Sequence, residues 1–174
     1  NIAGRNYSRR SFIKNAALAS AGLAMPAFMN GQMPKSQANP DFVIRNGRIR
    51  QAAMGWCYKK YFSAIELARH CKAIGKPGIE GIPKTSYSAV RKLGLEITVV
   101  GSHGFMRGPC DPAHRDECVE KLNDAIDLAA DVGSKRVMTF TGMRFEGMDE
   151  ERAARNCIDA WKSVLAKAEK RNIT

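Results

Sequence analysis

Short apolar runs alternate with amphipathic segments from residue 49 to the end of the chain. This alternation restricts the fold to a parallel sheet with helical crossovers. Residues 49–56 form the first apolar run and read as a strand. Ser63 and Glu66 then have the spacing of a capping box, in which the hydroxyl takes a first-turn N–H and the carboxylate reaches back. Ile65, Ala68 and Cys71 line one helix face, which Gly75 ends. Residues 78–82 read as a second strand, and a helix over 86–93 is closed by Gly94. Residues 95–100, rich in β-branched side chains, are the clearest strand. Asp111-Pro112 predicts a helix start, with Asp as N-cap and Pro in the first turn. Val119, Leu122, Ile126 and Ala129 continue that helix at regular spacing, and Gly133 ends it. Residues 136–141 predict a fourth strand. Asp149 opens a fourth helix with Ala154, Ile158, Trp161, Leu165 and Ala168 on its inner face. Asn172 closes that helix, and Ile173 begins a fifth strand.

Four βα units fit either an open doubly wound sheet or a closed barrel. The first strand–helix turn has no G-x-G-x-x-G sequence, which argues against a dinucleotide-binding sheet. A barrel takes roughly 250 residues, and residues 41–174 amount to about half of that. The chain starts at Asn1 and stops just as a new apolar run begins. It is therefore expected to be a fragment, open at both ends.

Residues 8–14 (SRRSFIK) precede a mildly apolar stretch rich in Ala and Gly. The segment 1–29, with Arg9 and Arg10 as its paired arginines, resembles a twin-arginine (Tat) signal. The apolar stretch is too short for a convincing membrane span. The resemblance implies recognition by the twin-arginine export machinery and a periplasmic or cell-envelope location. Residues 30–44 read as a polar linker, leaving 45–174 for the folded domain.

The formal charge of +11 raises the question of nucleic acid. Five of the 28 basic residues lie in residues 1–40, where there is no acid, and the others are interspersed with 17 acidic ones. No basic stripe with interleaved aromatics appears, so nucleic acid is not an expected partner. Five cysteines without C-x-x-C spacing suit neither a disulfide framework nor a zinc site.

Several stretches taken together resemble the hydroxypyruvate isomerase group of the xylose isomerase-like TIM barrels. They are IRQAAMGWC at 49–57, GIEGI at 78–82, VVGSHG at 99–104 and VMTFTG at 137–142, followed by the helix over 149–172. The resemblance covers residues 45–174. It implies an α/β fold, a (β/α)8 TIM barrel of which about four units are present. It also implies isomerisation of a sugar or hydroxy-keto acid by metal-assisted proton transfer through an enediolate. The family's divalent metal and its two proton-shuttling glutamates come from strands five to eight. No catalytic residue or metal ligand is therefore expected among these residues, and a homo-oligomer is allowed. A non-catalytic sugar-binding barrel and a metal-dependent endonuclease or phosphodiesterase are the alternatives.

His103 is the leading substrate-binding candidate. It follows a strand on the face where barrels place their sites, and could donate to a substrate hydroxyl or carbonyl oxygen. Trp56, expected at the end of strand one, could stack on a carbon skeleton. Glu80, in mid-strand, must be paired or hydrogen-bonded if it faces the interior; it could orient active-site groups from beneath, and a structural salt bridge is the favoured alternative. Thr141 and Arg144 follow strand four and could bind substrate oxygens, Arg144 suiting a carboxylate. The acids at 116–117 and 149–151 need no role beyond helix first turns.

Overall fold

The computed structural model describes residues 43–174. The proposed signal with Arg9 and Arg10, and the linker as far as residue 42, lie outside the described residues. Strand β1 (Ala52–Met54) leads into a short helical turn, α1 (Gly55–Tyr58), and then α2 (Ala64–Ala73). Strand β2 (Gly78–Glu80) is followed by α3 (Tyr87–Lys92). The third strand is recorded as two pieces, β3 (Glu96–Ile97) and β4 (Val100–Gly101). Helix α4 (Arg115–Val132), strand β5 (Val137–Met138) and helix α5 (Glu150–Arg171) complete the order.

All pairings are parallel. β1 pairs with β2, β2 with β3, and β4 with β5. Because β3 and β4 belong to one stretch of chain, the strands stand side by side in sequence order. The side chains show which face of this wall the helices cover. Ala53, Ile79, Ile97 and Val100 share a single core cluster with Leu67 of α2, Val90 of α3, Ile126 of α4 and Val164 of α5. Helices α2 to α5 therefore cover one face. A doubly wound sheet would reverse strand order and place helices on both faces. Sequence order with one-sided helices is the wall of a (β/α) barrel. The other face carries Ala52, Met54, Glu80, Thr98 and Met138, which line open hollows.

The third strand departs from strict alternation. Ile97 and Val100 are three residues apart, yet both are buried in the helix-side core. Thr98 and Val99 both border the hollow on the inner side. One extra residue is thus absorbed here, as in a β-bulge. Below it the strand bonds to β2, with the Thr98 N–H donating to the Ile79 carbonyl at 3.2 Å. Above it the strand bonds to β5, with the Val100 N–H donating to the Arg136 carbonyl at 3.0 Å. The Thr98 methyl fills the space over Gly78, where a Cβ would meet it at 2.4 Å.

The helix boundaries follow local chemistry. Ser63 and Glu66 form the full capping box. Asp111 caps a single 3-10 turn, Pro112–His114, which runs straight into α4. Gly133 and Asn172 end α4 and α5 in the left-handed conformation. The Thr174 N–H donates to the Lys135 carbonyl and its carbonyl accepts from the Val137 N–H, each at 2.9 Å. That is one step of a parallel ladder, as expected for a fifth strand beginning near Ile173.

Two expectations need correction. The first strand is shorter than 49–56, because from Gly55 the backbone turns helical and carries Trp56 with it. The buried stripe of α5 is Ala153, Cys157, Ala160 and Val164. Ile158 and Leu165 lie one residue further round and are 45% and 53% exposed. Ala153 and Cys157 pack with Cys110 of the loop after β4, and Val164 joins the main core. Lys167 ties α5 to α4, its ammonium lying 2.7 Å from Asp127 and 3.1 Å from the Asn123 carbonyl of α4.

Candidate functional site

The carboxyl ends of the strands and the loops beyond them form one rim. The loop 102–111 after β4 and the loop 139–149 after β5 are locked together along their length. Ser102 donates to the Met138 carbonyl through its N–H at 3.0 Å and its hydroxyl at 2.9 Å. The Cys110 N–H donates to the Thr141 carbonyl at 3.0 Å, and the Met143 N–H to the Met106 carbonyl at 3.3 Å. Gly108 packs on the facing backbone so closely that a Cβ would meet Gly142 N and Thr141 C and O at 2.3 Å.

Three buried thiols hold this pair of loops from beneath. Cys118 reaches the Arg107 carbonyl, Cys110 the Met143 carbonyl and Cys157 the Thr141 carbonyl, each at 3.8 Å. Burial pushes the Cys118 and Cys157 thiols above their ordinary range, with neighbouring Glu117 adding to the effect at Cys118. They act as weak S–H donors and small apolar fillers.

His103 lies within this locked rim, 9% exposed. Its Nδ1 is 3.1 Å from both the Gly104 and Arg107 carbonyl oxygens. Carbonyls only accept, so Nδ1 carries a hydrogen. The neutral ring then has its lone pair on Nε2, which lies 2.9 Å from the Thr139 hydroxyl. The hydroxyl donates to the ring. Phe140 stands edge-on to His103 at 6.4 Å, and Phe105 edge-on to Phe140 at 6.3 Å. In this tautomer Nε2 presents an acceptor, not the donor anticipated from sequence.

The other candidates are dispersed. Glu80 faces the inner side, where its carboxylate accepts from the Thr98 hydroxyl at 2.5 Å. A hydroxyl from the next strand thus answers it, in place of the expected salt bridge. Trp56 lies in α1, 61% exposed, with its indole against Gly81. Thr141 is exposed, and its hydroxyl donates to the Gly142 carbonyl at 3.3 Å. Arg144 pairs with Glu150 at 2.6 Å. The geometry joins His103 to none of these four but to Thr139, a residue the sequence reading passed over. The signal was present in VMTFTG, where Thr139 is the first polar side chain after β5.

Among the described residues no group of three or more His, Cys, Asp or Glu side chains could hold a metal ion.

One solved structure shares this fold. Protein SMc04130 from Sinorhizobium meliloti 1021 is similar over 71% of this chain and 48% of its own, at 19% identity and a TM-score of 0.57. A xylose isomerase domain protein from Planctomyces limnophilus aligns over 60% of this chain and 45% of its own, at 13% identity and a TM-score of 0.46. The chain spans about half the length of each of these structures. No curated protein sequence matches it. The model of the xylose isomerase-like TIM barrels matches residues 54–174, from the last residue of β1 to the start of the fifth strand. The chain belongs to the xylose isomerase-like TIM barrel family.

Proposed function

We propose that the protein is an isomerase of the hydroxypyruvate isomerase type, acting on a sugar or hydroxy-keto acid. The family includes sugar isomerases and epimerases. The observation that carries the reading is the His103–Thr139 pair, placed where the loops of two neighbouring strands meet. Barrel enzymes build their sites on that rim. Isomerisation through an enediolate removes a proton beside a carbonyl and stabilises the oxyanion that results. A divalent cation supplies such stabilisation when bound.

The described residues contribute binding and orientation. The two carbonyls fix the ring of His103, and Thr139 occupies its free nitrogen until a ligand displaces the hydroxyl. His103 Nε2 then accepts from a substrate hydroxyl. Phe140 stands edge-on beside the ring. Export by the twin-arginine route belongs to the same proposal.

The test is proton exchange. The intact protein, supplied with a divalent cation in D2O, is incubated with aldoses, ketoses and hydroxypyruvate and followed by NMR. Deuterium should enter the carbon next to the carbonyl. Absence of exchange with every compound would remove the isomerase reading.

A further inference from the structure

The chain between β1 and α2 forms an exposed knuckle. Every residue from Trp56 to Ser63 is exposed, Trp56 to 61% and Tyr61 to 72%. The Tyr58 carbonyl accepts from the Tyr61 and Phe62 N–H groups at 2.8 and 3.0 Å, which closes the turn. Gly81 leaves room for the indole, since a Cβ there, on backbone with φ +62°, would lie 3.0 Å from Trp56 Cδ1. Phe62 rests against His70, the ring centres 4.8 Å apart. Two of the four exposed aromatic side chains thus have seats on the protein, which lowers the ordering cost when a partner covers them.

The charge on the knuckle is of one sign. Lys59 and Lys60 stand among the rings, and both are exposed. No acidic residue occurs between Asp41 and Glu66. Glu66 is committed to the capping box, its carboxylate accepting from the Ser63 N–H at 2.8 Å. The turn after β2, on which the indole lies, adds exposed Lys84, and no acid occurs between Glu80 and Glu96. Glu80 is bonded to Thr98 on the inner side, and Glu96 pairs with Arg50. The knuckle therefore combines unbalanced positive charge with exposed rings.

We infer that this knuckle docks on the surface of a membrane that carries anionic lipids. Tryptophan and tyrosine have an apolar body and a polar tip, and they settle where headgroups meet acyl chains. Lysines beside them are drawn to an anionic surface over about a Debye length. Among the described residues no helix is long and apolar enough to cross a membrane. The contact inferred is therefore with the headgroup layer, made by the tips of Trp56, Tyr58 and Tyr61. A nucleic acid fits less well, because three lysines give no groove of cations to track a phosphate backbone.

The chain has two tryptophans, Trp56 and Trp161. In the 174-residue chain carrying Trp161→Phe, emission from Trp56 is titrated with phosphatidylglycerol vesicles and with phosphatidylcholine vesicles. Each is used with and without lipids brominated near the headgroup. With phosphatidylglycerol, a saturable blue shift and quenching by bromine are expected, both weakened by about 1 M salt. Phosphatidylcholine should give a much smaller response. Lys59→Gln together with Lys60→Gln should weaken partitioning about thirtyfold, the scale of two lysines at an anionic surface. Tyr61→Ser should weaken it as well. Both variants change exposed side chains, so their unfolding temperatures should match the parent's. Vesicle binding that leaves Trp56 unquenched would mean that another segment, residues 1–29 included, makes the contact, and would overturn the inference. So would no binding to phosphatidylglycerol, or partitioning indifferent to the lysine substitutions. A larger Trp56 response to a single-stranded oligonucleotide than to the vesicles would overturn it in favour of nucleic acid.

Discussion

The Thr139 hydroxyl lies 2.9 Å from Nε2 of His103, and two backbone carbonyls hold the opposite nitrogen of the same ring. The imidazole is thereby fixed in orientation and in tautomer before any ligand arrives. Thr139→Val keeps the shape and removes the donor, leaving a buried acceptor unpaired at a cost of about 1–3 kcal/mol. Imidazole 15N NMR should show the Nε2 resonance moving in Thr139→Val and returning toward wild type in Thr139→Ser. An unchanged resonance in the valine variant would mean that the hydroxyl does not meet the ring in solution.

Gly108→Ala should damage the rim more than its size suggests. The added methyl would lie 2.3 Å from backbone atoms of the facing loop, which cannot rotate away as a side chain would. Overpacking of this kind costs about 1–3 kcal/mol, and the backbone contact puts it near the upper end. Urea unfolding would measure the loss. Gly104→Ala serves as the control, because a Cβ there meets nothing within 4 Å.

Acid should loosen the α4–α5 contact. The Lys167 ammonium bonded to Asp127, helped by Arg171, lowers the carboxyl below its ordinary value. A lowered folded-state pKa gives stability that is complete above the unfolded carboxylate range, about pH 4, and is lost as pH falls through the folded value. Asp127→Asn should therefore be less stable than wild type at pH 7. The difference should close as pH falls below that range. Denaturation curves at both ends of the range would show it, and a gap that widens in acid would contradict it.

Thiol chemistry should separate one cysteine from four. Cys57 is exposed, whereas Cys71, Cys110, Cys118 and Cys157 are buried. Burial also raises Cys71, Cys118 and Cys157, which starves them of reactive thiolate. A disulfide reagent near pH 8 should titrate one thiol quickly in native protein and five after unfolding. A second fast thiol would show that one of the buried cysteine sites opens.

The export proposal has its own test. A reporter that works only after folded export, fused behind residues 1–29, should cross the membrane in cells with a working twin-arginine machinery. Replacing Arg9 and Arg10 together by Lys should stop it, and continued export would remove the proposal.

The fold was largely legible because helix ends and strand composition are local properties. Ser63 with Glu66, Asp149, Gly133 and Asn172 each state a boundary through their own hydrogen bonds or conformation. Whether the units curl into a barrel was not local. It depends on helices α2 to α5 sharing one face, which appears only when Ile79, Ile97 and Val100 meet residues from four helices. The inner face of α5 was misread by one residue, since hydrophobic size singled out Ile158 and Leu165, whereas Ala153 and Ala160 are the buried ones. At the site, His103 was visible from its place after a strand. Its partner was not, because pairing Thr139 with His103 spans 36 positions in sequence. Arg144 looked suited to a substrate carboxylate, and in the structure it pairs with Glu150.

The surplus residue between Ile97 and Val100 makes chain length a functional quantity. Deleting Val99 would give the third strand perfect alternation and an undisturbed ladder. It would also retract everything beyond it by one residue, about 3.3 Å, and carry the imidazole out of reach of the Thr139 hydroxyl. Descendants of this sequence can lose the irregularity or keep the histidine–threonine contact, but a single deletion does not let them do both.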